Sequence, residues 1–138
     1  MAVREIIHDD KFLSQKSEPA TKDDLEIGAN LVDTLKAHRH HCIGLAANMI
    51  GELKRIIVVA VGEDQILMYN PEIVKHSAKK YATKEGCLCR SEELPCTRYA
   101  SIEVKYRDAA FKKQREKFSG LTAQIIQHEL DHCNGIII

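Results

Sequence analysis

Apolar and polar positions along the chain follow two different periods, and the changes of period mark its elements. From Thr21 to about Ala37, Leu25, Gly28, Val32 and Leu35 share one helical face with Leu31 beside them. Thr21 and Asp24 have the spacing of a capping box, so this stretch is predicted to be a helix. Arg55 to Val61 is a short β-branched run with no helical period, and Gly62-Glu63-Asp64 turns it into Gln65 to Tyr69, which predicts a buried hairpin. Asn70-Pro71 is expected to end that second strand or to start another segment, because proline has no N–H for a ladder. Ile102, Val104 and Tyr106 alternate with Ser101, Glu103, Lys105 and Arg107, the pattern of a strand with one face buried, and Phe111 to Phe118 is its expected partner. After Ser119-Gly120, Leu121 to about Cys133 runs without a breaker and stops at Asn134-Gly135, so a second long helix is predicted. Strands in the middle and helices toward the two ends make the class α+β. No repeat, linker or low-complexity block divides residues 1–138, which read as a single domain.

Charge removes several classes of partner. Twenty Lys and Arg balance twenty Asp and Glu, so the chain has no basic field of the kind that holds nucleic acid, and no direct nucleic-acid partner is expected. The basic run Lys112, Lys113, Arg115 and Lys117 is interrupted by Glu116 and reads as a solvated strand face. The opening residues Met1 to Asp10 lack the apolar core of a signal peptide, and no stretch approaches the ~18 apolar residues of a membrane span. A cytoplasmic protein without membrane partners is expected. Its five cysteines, Cys42, Cys87, Cys89, Cys96 and Cys133, are an odd number that suits reduced thiols better than a disulfide framework.

Reduced thiols together with seven histidines direct attention to metal chemistry. The last predicted helix carries His128-Glu129-Leu130-Asp131-His132, an HExxH. Four residues is just over one turn, so both imidazoles project from one face and can bind one ion, with Glu129 beside them to handle protons. The same pattern arises by chance, and two histidines on a helix can be plain surface residues. A divalent ion needs a third protein ligand, and after His132 come only Cys133, Asn134, Gly135 and three isoleucines. Cys133 points about 100° round the helix from its neighbour, so the third ligand is expected upstream. Cys87, in Glu85-Gly86-Cys87-Leu88-Cys89, is the best candidate, because the glycine allows close backbone approach and a thiolate completes a Cys-His-His set. His38, His40 and His41 compete as donors, but at a predicted helix end they are expected to cap carbonyls or face solvent.

A third segment, Cys42-Ile43-Gly44-Leu45-Ala46-Ala47-Asn48-Met49, is small and apolar. In their order and separation the three segments resemble the three motifs of the peptide deformylases, GxGLAAxQ, EGCLS and HExDH. Arg55 to Val61 followed by Tyr69-Asn70-Pro71-Glu72 agrees, and the resemblance spans essentially the whole chain. It implies a mixed α+β fold, with antiparallel sheets packed around a central helix bearing the HExxH. It also implies one divalent ion held by Cys87, His128 and His132, Fe(II) in the cell with Zn or Ni able to replace it, and Glu129 as general acid and base. The implied activity is hydrolysis of the N-formyl group of formylmethionyl peptides with release of formate, in the bacterial cytoplasm, with ribosome-associated nascent chains among the partners. The backbone N–H of Leu88 would help hold the oxyanion. Gly44, Leu45 and Gly86 would give close backbone approach to substrate, and Ile43 and Leu88 would wall a methionine pocket.

Three positions depart from the motifs. The Gln that closes the first, whose amide helps hold the oxyanion in the family, is Met49 here, and a thioether donates no hydrogen bond. Losing one such donor costs ~10²–10³ in turnover, so weak activity or a substitute donor is expected. Asn48 carries an amide one position earlier, but in a strand it would face the other way. The Ser of the second motif is Cys89, and in an extended segment it would lean to the same side as Cys87, where a second thiolate could close a Cys₂His₂ site. Cys42 replaces the first Gly and is expected to narrow the substrate channel. The reading from another class is therefore a catalytically silent paralogue whose structural metal site serves to bind formylated or nascent peptides. A zinc protease is a distant third because the downstream ligand is missing. With six residues after His132, a minimal member without a C-terminal extension is expected.

Overall fold

The computed structural model describes residues 2–89 and 92–138. In chain order the elements are a short helix α1 (Asp10–Leu13), α2 (Leu25–Ala37), β1 (Gly44–Ala46), β2 (Ile56–Val61), β3 (Asp64–His76), β4 (Lys80–Glu85), β5 (Leu94–Tyr99), β6 (Ser101–Arg107), β7 (Lys113–Ser119) and α3 (Gly120–Cys133). Among the described residues no helix is long and apolar enough to cross a membrane.

The β-branched run lies at the centre. Ile56, Ile57, Val58 and Val59 of β2 are all fully buried, so both faces of this strand are covered, and α2 and α3 are the helices that pack on it. An antiparallel sheet in the order β1-β2-β3-β6-β7 is built around it, and β4 pairs with β5 in a separate two-stranded sheet. The predicted hairpin is β2–β3, with Ile56 opposite Tyr69 and Val61 opposite Asp64. Ile102, Val104 and Tyr106 are buried as their alternation requires, and β7 pairs with β6 along its whole length. The basic run on β7 is solvated, with Lys113 and Lys117 exposed and Arg115 paired to Glu103.

Two expectations need correction. Asn70-Pro71 does not end the second strand, which continues to His76. Between the pairs Tyr69–Arg107 and Glu72–Lys105, Asn70 and Pro71 lie opposite the single residue Tyr106. This is a bulge, a place where a missing N–H costs the ladder nothing. Asn70 has a positive φ of 55°, and its side chain accepts from the N–H of Ala20 and donates to the same residue's carbonyl, at 2.7 and 2.9 Å. The buried stripe of α2 is also rotated from the predicted face. Gly28, Leu31 and Leu35 are buried with Asn30 and Thr34, whereas Leu25 is exposed and Val32 only half-buried. Gly28 sets this rotation: a Cβ there would collide with the Tyr69 hydroxyl, which donates to the Leu25 carbonyl at 3.1 Å. The capping box of Thr21 and Asp24 is present, but it closes a 3-10 turn, Lys22–Asp24, that precedes the α-helix.

The two buried polar residues of α2 are satisfied by the N-terminal strap. Asn30 accepts from the N–H of Ala2 at 2.7 Å and Thr34 from that of Arg4 at 2.9 Å. Further on, the N–H of Ile7 donates to the carbonyl of Met49 at 2.8 Å, tying the strap to the turn that follows β1.

Candidate active site

Helix α3 turns His128 and His132 onto one buried face, with their Nε2 atoms 3.2 Å apart. The chain leaves β4 at Glu85, and Gly86 brings Cys87 over the same spot, with its Sγ 3.3 Å from Nε2 of His132. Among the described residues, Cys87, His128 and His132 form a cluster whose donor atoms all lie within 4.8 Å of one another. Bonds of about 2.0–2.1 Å to nitrogen and 2.3 Å to sulfur give a tetrahedral site donor–donor edges of roughly 3.4–3.6 Å. The observed separations of 3.2 and 3.3 Å nearly match those edges, so the donor set fits one divalent ion. The Cys89 thiol beside it and burial together hold the Cys87 thiol far above the usual range when no cation is near. A coordinated cation reverses this and takes the thiol as thiolate.

The imidazole of His128 is oriented from behind. Its Nδ1 lies 2.7 Å from Oε1 of Glu85, which keeps the proton on Nδ1 and turns the Nε2 lone pair to the cluster. Arg98, on β5, grips Glu85 with two hydrogen bonds of 2.6 and 3.0 Å and reaches Asp131 on α3 with a third of 2.6 Å. Burial opposes ionisation of Glu85, but the hydrogen bonds from His128 and Arg98 outweigh it and hold the carboxyl well below the usual range. The acidic residues of the second and third segments are thus two ends of one charged bridge. Gln127 adds a second tie, accepting from the N–H of Tyr99 at 2.8 Å and donating to its carbonyl at 3.0 Å.

Glu129 is 3% exposed, and its Oε1 has no hydrogen-bond partner. Burial, only partly offset by His128, pushes its carboxyl up to about 7. A group in that range exchanges protons near neutral pH. The close approach of β1 makes this burial possible: a Cβ on Gly44 would stand 2.8 Å from Oε2 of Glu129 and 2.6 Å from a methyl carbon of Ile125.

Cys87, His128 and Glu129 open onto a cleft of about 590 Å³. Ile43, Gly44, Gly86 and Leu88 line it, and so does Cys42, whose thiol donates to the carbonyl of Gly44 at 2.9 Å. Ile43 and Leu121 flank the opening, 50% and 61% exposed. Leu121 and Ile125 were not anticipated, although they stand eight and four residues before Glu129 and therefore share its helical face. Glu85 and Arg98 were also missed. Leu45 and Met49 do not line the cleft; both side chains are fully buried.

Residues Ala47–Ile50 form a 3-10 turn and not a strand, which changes where Asn48 and Met49 point. Asn48 donates to the carbonyl of His132 at 3.0 Å, anchoring the end of α3. Met49 folds back so that its sulfur lies 3.5 Å from the N–H of Ala46 and 4.0 Å from Sγ of Cys87. Of the competing histidines, His38 contacts the Thr34 carbonyl of its own helix at 2.9 Å, while His40 and His41 are exposed at the cleft mouth. Cys89 is buried with its Sγ 3.2 Å from that of Cys87, and it is not part of the three-residue cluster.

Residues 3–138 match the model of the polypeptide deformylase family. Over 136 residues, 99% of each chain, the sequence is 51% identical to a peptide deformylase of Clostridium beijerinckii. It is 38% identical over 142 residues to one of Natranaerobius thermophilus, covering 99% of this chain and 90% of that one. Among solved structures, an actinonin-bound class I type b peptide deformylase from Acinetobacter baumannii superposes with a TM-score of 0.88 at 28% identity, covering 99% of this chain and 96% of that one. The peptide deformylase of Thermotoga maritima gives the same TM-score and identity, over 99% of this chain and 95% of the other.

Proposed function

This chain belongs to the polypeptide deformylase family, and from that membership we propose that it removes the formyl group from N-formylmethionyl peptides. Cys87, His128 and His132 hold one divalent ion, Fe(II) in the cell with Zn or Ni as substitutes, and the thiolate and two imidazoles suit such ions. When bound, the ion polarises the formyl oxygen and lowers the pKa of a water.

The remaining steps belong to the chain's own groups. A peptide enters along β1, the edge strand of the five-stranded sheet, and adds to it as an extended segment. Ile43 and Gly44 line the cleft there, while the Leu45 side chain stays in the core and leaves its backbone on that edge. Ile43, Leu88, Leu121 and Ile125 give the methionine side chain apolar walls. Oε1 of Glu129 accepts a proton from the attacking water and returns it to the departing amine as the C–N bond breaks. Formate and a free α-amino terminus result. The N–H of Leu88 donates to the developing oxyanion, a contribution Met49 cannot make.

The observation that carries this reading is the orphaned, buried carboxylate oxygen of Glu129 beside a three-donor cluster on the wall of an open cleft. A purely structural metal site has no use for it. Bacterial relatives support placing the reaction in the cytoplasm, where newly made chains carry the formyl group. Met49 supports a second reading, a silent paralogue that binds formylated or ribosome-associated nascent chains. Formate release from formyl-Met-Ala-Ser with Fe(II) or Ni(II) added anaerobically separates the two: sustained turnover supports the enzyme, and peptide binding without release supports the paralogue.

A further inference from the structure

Two thiols of the second segment stand closer together than the proposed reaction needs. Sγ of Cys89 is 3.2 Å from Sγ of Cys87, so a disulfide bond of about 2.05 Å needs the sulfurs to close by only about 1.1 Å. One residue separates them in the chain, and Leu88 and Cys89 lie in a turn, so the closure is local. Their exposures differ: Cys87 lines the cleft, whereas Cys89 is buried behind it. A small oxidant entering the cleft therefore meets Cys87 first and has Cys89 waiting within contact.

From this we infer that Cys87 and Cys89 form a reversible oxidative modification site for hydrogen peroxide and other small hydroperoxides. Cys87 sulfur attacks one peroxide oxygen, the O–O bond breaks, and a sulfenic acid and one water result. Cys89 sulfur then attacks Cys87 sulfur, its proton leaves with the hydroxyl as a second water, and the S–S bond forms. Two thiols are oxidised by two electrons and one peroxide is reduced to two waters, so the balance closes. The consequence for the metal rests on the reading proposed above, since a disulfide sulfur no longer serves as a thiolate ligand and the three-donor set comes apart. With serine in place of Cys89, as in the motif the segment resembles, a sulfenic acid at Cys87 would lack a resolving thiol. It would then proceed to the sulfinic state, which thiol reductants do not reverse.

The test uses the full-length, metal-loaded protein, purified anaerobically and treated with a slight excess of hydrogen peroxide before alkylation and tryptic digestion. The peptide spanning residues 85–90 contains Cys87 and Cys89 and no other cysteine. The expected result is that this peptide becomes two hydrogens lighter and resists alkylation, that two of the five thiols disappear, and that metal is released to a chromogenic chelator. A dithiol reductant restores all three readouts. Cys89→Ser and Cys89→Ala should both lose metal irreversibly, with oxygen atoms added to Cys87. Oxygen on Cys87 of the unaltered chain without a disulfide would overturn the inference. So would a disulfide to Cys42, Cys96 or Cys133, oxygen on Met49 with the 85–90 peptide unchanged, or reversible metal loss in either variant. Because peptide mass and thiol count do not depend on turnover, a failure here is distinct from a failure of the deformylase reading.

Discussion

Oε1 of Glu85 lies 2.7 Å from Nδ1 of His128, so a carboxylate on β4 fixes the tautomer of an imidazole on α3. Arg98 holds that carboxylate and Asp131 together, and Arg98 and Glu85 are 5% and 7% exposed. The bridge makes the geometry of the three-donor cluster depend on a residue that donates nothing to it.

Arg98→Ala leaves Glu85 buried without its main counter-charge. Breaking a buried ion pair from one side costs about 3–5 kcal/mol, and losing support behind a ligand typically weakens metal binding about 10–100-fold. Chemical denaturation should show the first loss and chelator competition the second. Unchanged metal affinity in a folded Arg98→Ala protein would mean that the bridge serves the fold alone.

Gly44→Ala puts a methyl against both Glu129 and Ile125, two buried side chains of the same helix. Overpacking of this kind costs about 1–3 kcal/mol. It should also displace the carboxylate, so turnover should fall at least tenfold while metal content stays constant. Wild-type turnover would show that α3 yields at no cost to the position of Glu129.

Met49→Gln restores an amide beside Cys87 in place of a sulfur that now turns toward the N–H of Ala46. One oxyanion donor is worth ~10²–10³ in turnover, so deformylation should rise by about tenfold or more. Steady-state kcat on a formyl-Met peptide at matched metal content checks this. An unchanged or lower value in a folded variant would show that the site already has the donor it needs.

Ile43→Asp and Leu121→Asp each replace an exposed apolar side chain of the cleft with a charge. Both residues are half or more exposed, so stability should change by less than about 0.5 kcal/mol. KM for a formyl-Met peptide should rise several-fold with little change in kcat, because these walls are proposed to bind the methionine side chain and stand apart from the reacting atoms. An unaltered KM in both variants would move that side chain elsewhere.

How much of this was legible in the sequence varies with the strength of each local signal. β6 was readable because one of its faces is buried and burial imposes the period. The hairpin and α3 were readable instead from a β-branched run closed by a glycine turn and from a breaker-free stretch that stops at Asn134-Gly135. Strands β4 and β5 left no such trace. Along Lys80–Glu85 and Leu94–Tyr99 the outward residues are exposed and most of the others only half-buried, so no strong alternation was selected. Pro71 misled because its bulge depends on the partner strand, where only Tyr106 stands opposite Asn70 and Pro71. At the site, the three segments pointed to Cys87, His128, His132 and Glu129, which the structure brings together, since helical spacing and donor chemistry are local properties. Arg98 was invisible: it lies in a segment with no motif, and its partners Glu85 and Asp131 are 13 and 33 residues away. Met49 could be named but not placed, because the turn that sends its sulfur back to Ala46 begins where a strand was expected to continue.

The most direct test of the central claim is formate release from formyl-Met-Ala-Ser by the anaerobically Fe(II)-loaded protein, beside Glu129→Ala at the same measured metal content. Sustained, metal-dependent release that falls to background in Glu129→Ala is the predicted result. Equal release by both proteins would contradict the role given to Glu129, and no release by either with metal bound would contradict the deformylase reading of the site.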